Sequence, residues 1–119
     1  MASGLMKTIG AGALRAADAG SDVTLAGWIG RRRDHGGVIF LDLRDSSGLV
    51  QVVVNPEDAP APNDTLNGLR LEYCIQIEGT VRRRPEGSTN DDLPTGEVEV
   101  VAKALTVFSE ADPLPFQID

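Results

Sequence analysis

The stretch VIFLDLRDSSGLVQVVV, residues 38–54, decides the fold of this chain of 119 residues. Aliphatic and aromatic residues make up most of residues 38–44, and β-branched residues dominate residues 49–54, so both segments are predicted to be strands. Between them, Asp45-Ser46-Ser47-Gly48 has the composition of a tight turn, with a glycine available for a positive φ angle. Two short strands joined by a polar loop that contains glycine indicate an antiparallel hairpin.

More predicted strands lie on either side of this hairpin. The segment before it runs into the triplet Arg31-Arg32-Arg33, which predicts a strand with a basic end. After it, Asn63 is a plausible N-cap for a short helix over residues 64–71. A loop rich in proline and glycine is expected over residues 85–96. The additional strands are predicted over residues 23–29, 73–83 and 97–107.

The order strand, strand, strand, short helix, strand, strand is that of the OB-fold, an all-β Greek-key barrel of five strands with a helix between strands three and four. A different five-stranded barrel would produce the same pattern. We expect residues 1–20 to be an N-terminal extension with a short helix near 12–17, and residues 21–108 to form the barrel. Residues 109–119 contain Pro113 and Pro115, which indicates a linker leading out of the domain.

Composition excludes several classes of protein. Hydrophobic residues make up 41% of the chain and charged residues 24%, as in folded globular domains. No apolar run approaches the roughly 18 residues of a membrane-spanning helix, so no membrane association is expected. The chain has one cysteine, Cys74, so it cannot form an internal disulfide, and with one histidine, His35, a zinc cluster or a Ser/His/Asp site is hard to assemble. We predict no catalytic residue and no metal here, and a reducing cytoplasm as the compartment.

The positive charge is concentrated in three places. The net charge of −7 would argue against a nucleic-acid partner if the charge were evenly spread. The arginines, however, cluster at residues 31–33, at Arg44 and at residues 82–84. Because water and salt screen charges beyond about 10 Å, such local fields matter more to a polyanion than the net charge. Side chains alternate along a strand, so only part of each triplet can face one ligand.

The predicted strand over residues 38–44 has two different faces. Ile39, Leu41 and Leu43 share one face and should lie in the core, whereas Phe40 falls on the other face with Asp42 and Arg44. A phenylalanine outside the core suits stacking on a nucleic-acid base, which contributes roughly 1–3 kcal/mol per base. The alternative is that Phe40 covers the barrel end or a loop.

Two polar residues on neighbouring strands are further candidates. Gln51 offers a donor and an acceptor in one planar group, which can recognise the edge of an unpaired base. Glu99 is expected to face outward, where a carboxylate can accept hydrogen bonds from guanine. An ordinary solvated side chain is the alternative at both positions.

With these residues in view, the chain resembles the N-terminal anticodon-binding domain of bacterial-type aspartyl-tRNA synthetase. The resemblance covers roughly residues 7–119, and its motifs in this order are specific for the aspartate enzyme among related class II synthetases. The matching segments are GWIGRRRDHGG at 27–37, IFLDLRD at 39–45, GLVQVV at 48–53, GTVR at 79–82 and PTGEVEV at 94–100.

The resemblance implies roles for individual residues. Phe40 is similar to the ring that stacks on the central uracil of the anticodon, and Gln51 and Arg33 resemble the residues that hydrogen-bond that base and its backbone. Glu99 resembles the residue that recognises the first anticodon base. The full set of predicted RNA-binding residues is Arg31, Arg33, His35, Phe40, Asp42, Arg44, Gln51, Arg82, Arg84, Gly87 and Glu99.

The resemblance also implies a parent enzyme. His35 and Gly87 resemble the relaxed type, which charges both aspartate and asparagine tRNAs. Such a parent is a homodimeric ligase that uses ATP and magnesium in a catalytic domain following residue 119, so this chain alone is expected to bind tRNA without cofactors and without catalysis. The competing hypotheses are a free-standing OB-fold protein that binds single-stranded nucleic acid, and a protein-interaction barrel.

Overall fold

Six strands and one short helix lie in the part of the chain that the computed structural model describes, residues 6–8, 10–58, 60–69, 73–85, 87, 89–90, 93 and 95–108. The strands are β1 (Met6–Thr8), β2 (Asp22–His35), β3 (Val38–Asp45), β4 (Gly48–Val54), β5 (Cys74–Arg83) and β6 (Val98–Val107). The helix α1 covers Asn63–Asn67, and 3-10 turns cover Ala11–Ala13, Ala16–Asp18 and Pro56–Asp58.

Strands β2 to β6 close into a barrel. The sheet order is β1-β2-β3-β4-β6-β5, and an additional pairing between β2 and β5 joins the two sides. The long strand β2 makes this closure possible, since residues 22–28 pair with β5 and residues 28–35 pair with β3. Strands β4 and β6 are parallel, and the other pairs within the barrel are antiparallel. With α1 between β4 and β5, the predicted OB-fold is confirmed.

The two faces of β3 divide core from surface as the alternation predicts. Ile39, Leu41 and Leu43 are buried among valines of β4 and residues of β2, β5 and β6. Phe40 is only partly buried, and Arg44 is exposed. The hairpin of β3 and β4 therefore contributes an apolar wall to the barrel interior and a polar strip to its outer surface.

Several of the described residues before β2 pack against the barrel. Strand β1, which the sequence pattern did not indicate, pairs in parallel with the start of β2. Ala11 and Leu14 are completely buried in the core. The turn between β3 and β4 anchors this segment, because the Asp45 carboxylate accepts a hydrogen bond from the backbone N–H of Ala11 at 2.7 Å. Two 3-10 turns stand where a short helix was expected near residues 12–17, and the predicted linker over 109–119 lies outside the described residues.

Helix α1 is shorter than its prediction over residues 64–71, and residues 70–72 lie outside the described part. Arg32 ties this helix to β2, since its Nη1 donates to the backbone carbonyls of Leu66 at 3.0 Å and Leu69 at 2.9 Å. The same guanidinium forms an ion pair with Asp34, with 2.8 Å between Nε and Oδ1. Arg32 thus stabilises the fold and does not line the groove side of β2, which agrees with the expectation that only part of the arginine triplet can face a ligand.

This ion pair predicts a small pH dependence of stability. The hydrogen bond from Arg32 lowers the pKa of Asp34 below its ordinary value of 3.8. A carboxyl whose pKa is lower in the folded state stabilises the fold above the ordinary value, and this contribution is lost as the pH falls through the lowered value. The Asp34 side chain is 59% exposed, so solvent screening keeps the effect modest.

We therefore expect Asp34→Asn to reduce the difference in urea midpoint between pH 7 and pH 3 relative to the wild type. Asp58→Asn, on the exposed turn after β4, is the matched control and should leave that difference nearly unchanged. An Asp34→Asn variant with the full wild-type difference would contradict the prediction.

Candidate nucleic-acid interface

A groove with a cavity volume of about 700 Å³ lies on the outer surface of β2, β3 and β4. Seven of the eleven predicted site residues line it, together with three others. The lining residues are Arg31, Arg33, Asp34, His35, Phe40, Asp42, Gln51, Arg84, Asn90 and Leu93. The groove combines the Phe40 ring with charged and amide groups, a composition suited to binding single-stranded nucleic acid.

Strand register builds a row of polar side chains across the barrel. Directly paired residues follow one another over five strands, in the order Arg31, Asp42, Gln51, Glu99 and Arg82. Paired side chains on one face of a sheet lie about 4.5–5.5 Å apart, which is within interaction distance. The row therefore brings together residues that are as many as 68 positions apart in sequence, between Arg31 and Glu99.

Phe40 lies in the next row, paired with Arg33 of β2. The ring is outside the hydrophobic core and lines the groove. The guanidinium carbon of Arg33 lies 5.9 Å from the ring centroid, at the outer limit of a cation–π contact. An aromatic surface and a positive charge thus occupy the same end of the groove.

A chain of hydrogen bonds links four of the predicted residues, and we name it the polar chain. Arg33 Nη2 donates to Gln51 Oε1 at 3.0 Å, and Gln51 Nε2 donates to Glu99 Oε1 at 2.9 Å. At the far end, Arg82 Nε donates to Glu99 Oε2 at 2.6 Å. Each carboxylate oxygen of Glu99 therefore has a protein donor.

The burial of Glu99 corrects one expectation. Glu99 does share a face with Gln51, but only 2% of the residue is exposed, and it is not an outward surface carboxylate. Hydrogen-bonded side chains of Gln51 and Arg82 flank it on the two neighbouring strands, and Gln51 itself is only 7% exposed. A base that approached Glu99 would have to displace one of these partners.

The remaining predicted residues differ in position. Arg84 is partly buried in the groove, and its Nε donates to the carbonyl of Val98 at 3.1 Å. Burial lowers the pKa of Arg84, while the charges of Glu99 and Asp42 oppose that change. Arg44 and Gly87 are both exposed, Gly87 with a φ of +86°, and neither lines the groove.

Asn90 and Leu93, from the loop between β5 and β6, form a wall of the groove that the sequence analysis missed. Backbone hydrogen bonds fold this loop onto itself, from Asn90 N–H to the Gly96 carbonyl at 2.9 Å and from Gly96 N–H to the Leu93 carbonyl at 3.0 Å. The buried hydroxyl of Thr95 then donates to the Leu49 carbonyl at 2.8 Å, which anchors the loop to β4. The Thr95-Gly96 pair was the available signal, since it stood within one of the matching motifs.

Within the described ranges, no three side chains of His, Cys, Asp or Glu lie together as a metal ion would require. The same residues include no helix with the length and apolar character needed to cross a membrane.

Comparison with known proteins identifies the class to which this barrel belongs. The tRNA anticodon family, described as an OB-fold nucleic acid binding domain, matches residues 23–108. The chain belongs to this family.

Individual relatives narrow the class. The chain is 59% identical over 115 residues to Aspartate--tRNA(Asp/Asn) ligase of Salinispora tropica and 60% identical over 117 residues to that of Kineococcus radiotolerans. Both matches cover 97% of this chain, which spans only about a fifth of the length of these relatives, 18% and 19%. The asparaginyl-tRNA synthetase of Pyrococcus horikoshii complexed with asparaginyl-adenylate is 27% identical, with a TM-score of 0.68, over 90% of this chain and 23% of that one. The predicted resemblance to the anticodon-binding domain of an aspartyl-tRNA synthetase is confirmed.

Proposed function

We propose that this domain binds the anticodon loop of tRNA(Asp) and tRNA(Asn) through the groove on β2, β3 and β4. The observation that carries the proposal is the position of Phe40, outside the core and beside the polar groups of Gln51 and Arg33. Sequence-specific recognition of RNA targets unpaired bases, which stack on aromatic rings and are hydrogen-bonded along their edges. The groove supplies both kinds of contact side by side.

The arginines are suited to contact phosphates, whereas Phe40 and Gln51 are suited to contact the bases. Arg31, Arg33 and Arg84 line the groove, and Arg44 lies exposed on the same face of β3 as Phe40. Contacts to phosphates set affinity and its salt dependence, whereas contacts to base edges set sequence preference. The concentration of positive charge here supports RNA binding by a chain whose net charge is −7.

The activity of the whole protein is proposed from its relatives. The names of the relatives support a ligase that joins aspartate to tRNA(Asp) and tRNA(Asn). ATP, magnesium, a homodimeric state and a cytoplasmic location are expectations from the family resemblance. A free-standing binder of single-stranded nucleic acid is not favoured, because the relatives that match nearly the whole chain are ligases.

Dual tRNA choice predicts nearly equal affinity for two RNAs. Stem-loops with the anticodons GUC and GUU differ only in the last base, and we expect Kd values within about threefold of each other. His35, which lines the groove, and the side-chain-free Gly87 resemble the relaxed type of this domain. The measurement is a fluorescence titration of both stem-loops, with an unstructured RNA of equal length as the control. A strong preference for GUC would reject dual choice, and equal binding of the unstructured RNA would favour the free-standing binder.

A further inference from the structure

The side-chain amide of Gln51 is held from both of its ends. Arg33 donates to Oε1 at 3.0 Å, and Nε2 donates to the Glu99 carboxylate at 2.9 Å. A guanidinium can only donate hydrogen bonds and an ionised carboxylate can only accept them, so both neighbours require the same orientation of the amide. A turned amide would place its NH₂ group against a donor and its oxygen against a carboxylate.

Glu99 is the firmer of these two anchors. Only 2% of Glu99 is exposed, and Arg82 binds its other carboxylate oxygen at 2.6 Å. Arg33 is an exposed residue of the groove, so it can turn toward an RNA phosphate. When RNA binds and Arg33 turns away, Glu99 remains as the group that keeps the NH₂ of Gln51 directed toward β6.

A fixed amide can distinguish two pyrimidines. The second N–H of Nε2 and the second lone pair of Oε1 are the groups that Gln51 has left to offer a base. Uracil presents an N3–H donor beside carbonyl acceptors, whereas cytosine presents an N3 acceptor beside an amino donor. An amide in one orientation therefore matches one pyrimidine edge, and the same amide turned over would match the other.

We propose that Glu99 acts as a positioning residue that sets the preference for uracil over cytosine at the base stacked on Phe40. It acts through Gln51, without touching that base. The inference rests on the proposed function, because it takes Gln51 as the group that recognises the stacked base.

The test uses two anticodon stem-loops that differ only in the middle base, uracil or cytosine. The wild-type domain should bind the uracil loop more tightly. Glu99→Gln keeps the shape of the side chain but can donate as well as accept, so the Gln51 amide is free to turn. The quantity compared is the affinity for the uracil loop divided by the affinity for the cytosine loop. We expect this affinity ratio to be about tenfold smaller in the variant than in the wild type, which corresponds to one well-placed hydrogen bond.

Two matched variants separate a loss of Gln51 positioning from a general loss of RNA affinity. Arg82→Ala breaks the ion pair with Glu99 and should lower affinity for both loops together, but it leaves a carboxylate beside Gln51, so it should retain more of the uracil-to-cytosine affinity ratio than Glu99→Gln. Glu99→Asp keeps a group that only accepts and should retain more of the ratio than Glu99→Gln. If the role of Glu99 were merely structural, the two Glu99 variants would lower the affinity for both loops alike, and Glu99→Asp would not retain more of the uracil-to-cytosine affinity ratio than Glu99→Gln.

The outcomes are distinct. A wild-type domain that prefers uracil, together with a folded Glu99→Gln variant that keeps the same ratio, overturns this inference and leaves the proposed function intact. A wild-type domain that binds both loops equally overturns this inference alone, and one that binds neither loop more tightly than an unstructured RNA of equal length overturns both. Hydrogen exchange by NMR gives a second measurement on the wild type, in which one Gln51 side-chain amide proton should exchange at least about tenfold more slowly than those of the partly exposed Gln76. Equal rates at the two side chains would also overturn the inference.

Discussion

Replacing Phe40 with alanine is expected to weaken binding of the anticodon stem-loop by about ten- to 100-fold. Base stacking on an aromatic side chain contributes roughly 1–3 kcal/mol, and each 1.4 kcal/mol corresponds to about a factor of ten in Kd. The fold should survive, because Phe40 lies outside the core. Its contact with Arg33, at 5.9 Å from the ring centroid, contributes at most about 1 kcal/mol at an exposed site.

The control for this prediction is Phe40→Tyr, which keeps an aromatic face and should bind within about threefold of the wild type. A salt series adds a second criterion. Since counterion release depends on phosphate contacts, Phe40→Ala should lower the affinity at every salt concentration without changing the slope. If Phe40→Ala bound the anticodon stem-loop with wild-type affinity, stacking on Phe40 would be contradicted, and a barrel that binds a protein partner would be favoured.

The groove is organised before any RNA arrives. The polar chain holds Gln51 and Glu99 in fixed positions, and the anchored loop places Asn90 and Leu93 opposite the sheet. Groups that are already ordered lose little conformational freedom on binding, which favours affinity. Rigidity here also has a consequence for specificity, since an amide that cannot turn can match only one arrangement of donors and acceptors.

Local alternation explains what could be predicted from the sequence. The two faces of residues 38–44 follow from the period of a strand, so the separation of Leu41 from Phe40 needed no knowledge of the partner strands. The tight turn at residues 45–48 joined two such segments into a hairpin. The order of elements then indicated the OB-fold, although a different five-stranded barrel would give the same order, and the family resemblance favoured the OB-fold.

Contacts between distant segments explain what could not be predicted. The burial of Glu99 depends on the register between the parallel strands β4 and β6, where it pairs with Gln51, 48 positions away. Strand β1 has only three residues, too few to show a periodic pattern, and its partner lies on β2. Asn90 and Leu93 belong to a loop whose course is set by backbone hydrogen bonds, which leave little trace in residue types.

Barrel closure depends on one residue where β2 changes partners. Gly27 pairs with Ile75 of β5, and the next residue, Trp28, pairs with both Cys74 of β5 and Arg44 of β3. A Cβ atom at Gly27 would lie 2.0 Å from the carbonyl oxygen of Arg44 and 2.9 Å from its carbonyl carbon. Backbone atoms cannot rotate away, so any larger residue forces β3 away from β2.

We therefore expect Gly27→Ala to lower the free energy of unfolding by about 3 kcal/mol, toward the upper end of the range for overpacking in a core. Gly27 is not among the glycines with positive φ, so the loss would come from steric overlap alone. Gly20→Ala is the matched control, because Gly20 has a φ of +93° and no neighbour within 4 Å of an added Cβ. That variant should lose only about 1–2 kcal/mol from left-handed strain. Urea denaturation followed by circular dichroism measures both, and a Gly27→Ala variant no less stable than Gly20→Ala would show that β2 and β3 can separate here without cost to the barrel.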